Sequence, residues 1–192
     1  MYIKFSYEMK EVSAMEGVAR YQVRLLPHNA AWEEEFQQVK NWLERCWQQN
    51  VIDIQHVGST AIKTICAKPI LDIAVQLHSI QLMDIPALVQ QGYEYRGEQG
   101  ENESHHLFVL RSEQGLSLQH IHCYDRNEKG FYQLVGFRDY LNQHLKEAKQ
   151  YETLKQKLAE NYAENRVAYT KSKEEFIQSI YKKLAEINHF CE

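Results

Sequence analysis

The stretch that decides the fold opens with Ile54-Gln55-His56-Val57-Gly58-Ser59-Thr60-Ala61. It runs through Ile62-Lys63-Thr64-Ile65-Cys66 and closes on Ala67-Lys68-Pro69-Ile70-Leu71-Asp72-Ile73-Ala74-Val75. It reads as a short strand, a turn at Gly58-Ser59, a polar connection and a second strand carrying Asp72. The second run, from Pro69 to Leu77, is apolar apart from Asp72 and Gln76. A carboxylate buried in such a run is costly unless it is paired or binds a cation. Asp72 is therefore expected to come together with Lys68 and with a turn able to offer backbone N–H groups. That combination suits an anion held near a metal or a base.

Outward from this stretch, Tyr21 to Leu26 alternates and predicts a strand that Pro27 ends. Asn29 is placed to cap a helix over 30–49, with Glu33, Glu34 and Glu35 in the first turns, where the helix dipole favours acids. Trp32, Phe36, Val39, Leu43 and either Cys46 or Trp47 form its buried stripe. Val51 to Val57 predicts a strand, and Pro69 to Leu77 the central one. A helix over 83–91 follows and stops at Gly92. Two further strands, over 104–111 and 116–124, are separated by a turn at Glu113-Gln114-Gly115.

From Phe131 the period becomes helical. Leu134, Phe137, Leu141 and Leu145 mark one helix, and Tyr151, Leu154, Leu158 and Tyr162 a second over 148–163. Phe176, Ile177, Ile180, Leu184 and Ile187 mark a third over 170–189. The pattern is that of an α+β protein: a mixed β-sheet with flanking helices and a C-terminal helical hairpin or small bundle. We divide the chain into an N-terminal extension over 1–20, frayed or helical and without assigned function, an α/β core over 21–128 and a helical region over 129–192 packed on that core.

Composition narrows the function classes. With 192 residues, 44% hydrophobic and 25% charged, the chain suits one globular unit with a sizeable core. A net charge of −4 carries no basic bias, so a nucleic-acid partner is not indicated. Cys46, Cys66, Cys123 and Cys191 are far apart with no Cys-x-x-Cys pair, which argues against a disulfide or cysteine-zinc framework and for reduced thiols in a cytoplasmic protein. Lys4, Glu8, Lys10, Glu11 and Glu16 interrupt the first sixteen residues, so neither a signal peptide nor a membrane span is expected there. Walker A and dinucleotide glycine-rich loops are absent, and no Gly-x-Ser-x-Gly elbow surrounds Ser59.

The motifs resemble the GrpB family, small bacterial proteins related to the nucleotidyltransferase superfamily. His56-Val57-Gly58-Ser59-Thr60-Ala61 and Ala67-Lys68-Pro69-Ile70 with Asp72-Ile73 match its signature. The likeness continues at Gly92-Tyr93 with Gly97-Glu98, His120-Ile121-His122, Phe137-Arg138-Asp139-Tyr140-Leu141, and Tyr169 with Lys173 and Phe176-Ile177. It covers residues 22–180 in order. The resemblance implies a nucleotidyltransferase-like sheet in which the Gly-Ser turn holds phosphates and an acid on the next strand binds metal. In that superfamily an Asp-x-Asp/Glu pair and an acid on a later strand share Mg²⁺. Here the partner position is Ala74, and the later strand offers His120 and His122.

The candidate catalytic residues are accordingly Asp72, His120 and His122, which also form a candidate metal set. Residues i and i+2 of a strand share a face, so two imidazoles and a carboxylate can meet there. The candidate ligand-binding residues are His56, Gly58, Ser59, Thr60, Lys68, Arg138 and Lys173. A divalent metal such as Mg²⁺ or Mn²⁺, or Zn²⁺, is the expected cofactor class, and an anion pocket with Lys68 and protonated histidine as donors is the alternative. His105 and His106 are adjacent on a strand, so at most one joins the site. Two functions stay open: a nucleotidyl- or phosphoryl-transferase-like protein that binds a nucleotide or phosphorylated metabolite, and a non-catalytic accessory or protein-interaction module. The resemblance also carries a label as a dephospho-CoA kinase or protein-folding accessory domain, which suits the second. Self-association into a homodimer is left open.

Overall fold

Alternation along one strand sorts the molecule into two faces. In the computed structural model, which describes residue 13, residues 15–99 and residues 102–189, strand β2 (Leu71–Leu77) sends Leu71, Ile73, Val75 and Leu77 to one side and Asp72, Ala74 and Gln76 to the other. Helix α1 (Ala31–Trp47) covers the first side. Its Trp32, Phe36, Val39, Leu43 and Trp47 are buried at helical spacing and pack with Ile73, Val75, Phe108, Ile121 and Cys123 in one core. Trp47 therefore closes the stripe, and Cys46 is half-buried beside it. Asn29 accepts from the Ala31 amide at 3.0 Å, at the start of the helix.

The five strands run in the order β1 (Val51–Val57), β2, β5 (Ser117–Tyr124), β4 (Asn102–Arg111), β3 (Tyr93–Gln99). All neighbours are antiparallel except β2 and β5, which are parallel and set Asp72 beside His120 and Ala74 beside His122. The central strand is thus β5, not the run from Pro69 to Leu77. That run is apolar because helices cover both of its faces, not because it lies in the middle. Strand β3 is an addition to the sequence-based expectation: its alternation of Tyr93 and Tyr95 with Glu94 and Arg96 breaks at Gly97 (φ +69°), where the register with β4 shifts.

Three other expectations change. Residues 21–26 form no strand, because the chain touches the fold through single bonds: Val23 N–H to Ala163 O, and a two-way bridge between Leu26 and Ala67. Of the N-terminal extension, residues 15–18 are packed on the sheet: Met15 and Val18 are buried and Val18 bridges Ser117, while most of residues 1–14 lie outside the described residues. Helix α2 is shorter than expected (Ile85–Gln90), capped by Asp84, whose carboxylate accepts from the Ala87 amide.

The C-terminal part holds α3 (Lys129–Gln143), α4 (Leu145–Asn161), α5 (Arg166–Lys171) and α6 (Glu174–His189). The expected third helix is interrupted at Ser172-Lys173. Leu145 leaves the α3 stripe because the helix breaks at His144, whose ring stacks on Tyr140 and whose Nδ1 bonds the Tyr140 carbonyl. Phe137, Tyr140, Leu141, Tyr151 and Ile180 pack with Ile62 and Ile65 in a second core. Phe131 packs with Val57, Ala74 and Tyr124 against the sheet. Among the described residues, no helix is long and apolar enough to cross a membrane.

Arg138 fastens α3 to strand β1. Its guanidinium donates to Gln55 Oε1 at 2.9 Å, to the His56 carbonyl at 2.7 Å and to Asp139 at 2.8 Å. Replacing Arg138→Met removes charge-assisted bonds from a largely buried position. We expect a loss of about 2 kcal/mol, read as a lower urea midpoint at unchanged denaturant slope.

Candidate functional site

The site starts at the turn after β1. Gly58 adopts φ +71° and ψ −169°, a region open to glycine. A Cβ there would run into the Asp72 carboxylate and lie 2.9 Å from the Asp72 Cβ. The glycine is thus required both by its backbone and by the acid that closes over it. Ser59–Ala61 then form a short 3₁₀ turn.

His56 and Thr60 face away from the cleft and hold this turn in place. Burial pushes the His56 imidazole down, against a smaller upward pull from Glu33. The ring is held between Glu33, 3.1 Å from Nδ1, and the Thr60 hydroxyl, 3.0 Å from Nε2, and it stacks on Phe36. Arg138, as described above, also lies outside the cleft. These three candidate ligand residues are therefore part of the scaffold beneath the turn.

Asp72, His120 and His122 do converge. Asp72 Oδ1 lies 2.9 Å from His120 Nδ1 and 4.0 Å from His122 Nε2, and one donor atom from each residue falls within 4.8 Å of the others. Burial works against ionising Asp72, but the His120 hydrogen bond, with His120, His122 and Lys68 nearby, outweighs it and holds the carboxyl down at about 2. Burial pushes His122 down to about 4. Its Nδ1 meets His105 Nε2 at 3.1 Å, and His105 stacks on Tyr124. His105 is thus the member of the adjacent pair that joins the site; His106 meets Tyr95 on the opposite face. The two-nitrogen, one-oxygen set fits a single borderline metal such as Zn²⁺ or Mn²⁺. It does not fit a pair of Mg²⁺ ions, because buried Ala74 occupies the position from which a second carboxylate would reach.

Opposite this face, the C-terminal helices close a cavity of about 280 Å³. Gly58, Ser59, Lys68, Asp72, His120 and His122 line it together with Lys155, Arg166, Tyr169 and Lys173. Lys68 and Lys173 lie over the Tyr169 ring, with Nζ 5.4 and 4.7 Å from its centre. Lys155 lies 4.9 Å from the centre of Tyr151 and donates to the Cys66 carbonyl. Among the described residues, no ion pair at salt-bridge distance engages Lys68, Arg166 or Lys173. Burial, reinforced by neighbouring cations, pushes Lys68 and Lys155 down to about 7 and Lys173 to about 8.

Lys155 and Arg166 were not among the residues singled out from sequence, although their spacing carries a signal. Lys155 interrupts the apolar stripe Tyr151–Leu158 at i+4, and Arg166, Tyr169, Thr170 and Lys173 recur at i, i+3, i+4 and i+7. In both cases a charge stands on the inward face of its helix.

The family model described as GrpB protein matches residues 22–183. The chain is 34% identical over 175 residues to Glutamate-rich protein GrpB of Alkalihalophilus pseudofirmus, covering 88% of this chain and all of that protein. The fold is similar to the crystal structure of conserved protein GrpB from Enterococcus faecalis, with TM-score 0.78, 28% identity, and 88% of this chain and all of the other covered. A more distant likeness, with TM-score 0.49 and 13% identity over 71% of this chain, is to 44% of the Cid1 poly(U) polymerase chain.

Gly58→Ala should force the Asp72 side chain aside and strain the backbone. We expect a loss of about 2 kcal/mol, seen as a fall in Tm of about 4–8 °C. A lysine whose folded value lies below 10.5 binds fewer protons in the native than in the unfolded state between those values. Stability from Lys68 therefore rises with pH above about 7. The unfolding free energy of the wild type minus that of Lys68→Met should climb from pH 7 to 9, by up to about 1.4 kcal/mol per pH unit. Urea titrations across that range measure it.

Proposed function

The chain belongs to the GrpB family, and from that premise we propose that it binds a small phosphorylated ligand, a nucleotide or a phosphorylated metabolite, in the cleft between its sheet and its C-terminal helices. The observation that carries this reading is the convergence of Lys68, Lys155, Arg166 and Lys173 on a cavity whose lining contains one carboxylate, Asp72. Buried and half-buried cations in excess of acids call for an anionic partner. Phosphate oxygens meet that need, with the lysines as point charges and Arg166 as a forked donor.

Each residue then has a part. Ser59 offers its hydroxyl at the turn that Gly58 allows to pass close to Asp72. Lys68 and Lys173, steadied on Tyr169, flank the phosphate. Asp72, His120 and His122 would hold one divalent metal, which would supply Lewis-acid chemistry to a phosphoryl oxygen there. His122 presents Nε2 to that position, and its Nδ1 lies 3.1 Å from His105 Nε2, a contact that orients the ring. With Ala74 in place of a second acid, the reading extends to binding and not to two-metal transfer. Turnover of ordinary nucleoside triphosphates dependent on a divalent metal would overturn that part of it.

Metal-stripped protein should be stabilised by inorganic triphosphate together with Mn²⁺ or Zn²⁺. A ligand at a hundred times its Kd adds about 2.7 kcal/mol, a rise in Tm of about 5–10 °C at this chain length. Asp72→Ala and Lys173→Met should each abolish the shift at that concentration while leaving the far-ultraviolet circular dichroism unchanged. His120→Ala should weaken metal binding about tenfold or more. No shift with any phosphorylated ligand or metal would remove the reading.

A further inference from the structure

The chemistry of the ligand can be narrowed further, on the reading that the cleft takes a phosphorylated molecule. We infer that the pocket recognises the phosphate chain itself and is indifferent to a nucleobase attached to it. Its ligand class is the multiply charged or condensed phosphate, with any organic portion lying outside the cavity.

The aromatic rings carry the argument. A nucleobase is read by stacking on an open ring face, as in single-strand binding clefts. In this cleft the rings of Tyr169, Tyr151 and Phe137 are already covered. Tyr169 is 1% exposed and its ring bears Lys68 and Lys173. Tyr151 is 3% exposed, bears Lys155 and stacks on Phe176 at 5.1 Å. Phe137 is buried edge-on between Tyr151 and Tyr181. Tyr169 and Tyr151 therefore act as supports for cations, and the remaining tyrosine of the lining, Tyr181, is half-buried with its ring set against Phe137.

Charge and size agree. Lys68, Lys155, Arg166 and Lys173 oppose the single carboxylate Asp72, so a ligand with several negative charges balances the cavity better than one with a single charge. The space, about 280 Å³, lies just below the usual range of ligand pockets, about 300–1,000 Å³. The cations enclose it from three elements: the connection before β2, helix α4, and the α5 segment with the turn that follows it.

Calorimetric titration of the full chain, with one divalent metal held constant, tests this. Inorganic triphosphate, ATP, UTP and adenosine are the probes. A stacked base would raise affinity about fivefold or more over the bare phosphate chain. We expect triphosphate, ATP and UTP to agree within fivefold, adenosine not to bind, and Lys173→Met to weaken all three phosphates by the same factor. ATP or UTP binding more than fivefold tighter than triphosphate, or measurable binding of adenosine, would overturn the inference while leaving phosphate binding in the cleft intact. If neither triphosphate nor the nucleotides bind, the reading of the cleft fails first and this inference with it.

Discussion

Everything in the candidate site depends on one carboxylate held inside a sheet. Asp72 stands in a strand whose other face is solid hydrocarbon, and an ion in that setting needs a partner within hydrogen-bond reach. The parallel pairing of β2 with β5 supplies it by placing His120 directly alongside. That pairing requires a crossover, which α2, β3 and β4 provide. The glycine at 58 follows from the same demand, because the acid occupies the space that a side chain there would fill. Turn, strand order and imidazole partner are thus consequences of where one charge is put.

The site is assembled from two chemically different halves. The sheet contributes the oxygen and nitrogen donors, close together and at fixed strand positions. The C-terminal part contributes Lys155, Arg166 and Lys173, the connection before β2 adds Lys68, and the three lysines lie across tyrosine rings. The bonds between Cys66 and α4 join the halves: Glu152 accepts from the Cys66 amide at 2.8 Å, and Lys155 donates to its carbonyl. Glu152 in turn is held far below the usual carboxylate range, first by the Lys149 hydrogen bond and then by the Cys66 amide.

Much of this was legible in the sequence. Strand β1 is expected at its observed limits, the Gly-Ser turn and Asp72 follow from the turn residues and the cost of burying an acid, and the His120/His122 pair follows from the resemblance, with strand spacing placing both on one face. The resemblance added the order of the motifs. Other features were hidden for physical reasons. Gly97 cuts the alternation of β3 in two, so neither piece has the length of a strand signal. Residues 21–26 alternate but bridge the fold only at Leu26–Ala67, and periodicity alone says nothing of partners. The scaffold roles of His56, Thr60 and Arg138 depend on α1 and α3, elements far away in sequence, and no local pattern reports such contacts. Lys155 and Arg166 were visible as charges on inward helix faces, but an amphipathic helix can carry such a charge at its rim, and spacing does not separate the rim from the cavity.

The two-way bond between Leu26 and Ala67, with the grip of α4 on Cys66, fixes Cys66 and Ala67 at both their amides and their carbonyls. A segment so fastened has no slack with which to fold over a ligand. The cleft is therefore preorganised, and little ordering entropy is left to lose when a ligand arrives. Association should then be governed by diffusion and by the attraction of the cations that line the cleft, and should slow as ionic strength rises. Dissociation, by contrast, should report the strength of the individual contacts.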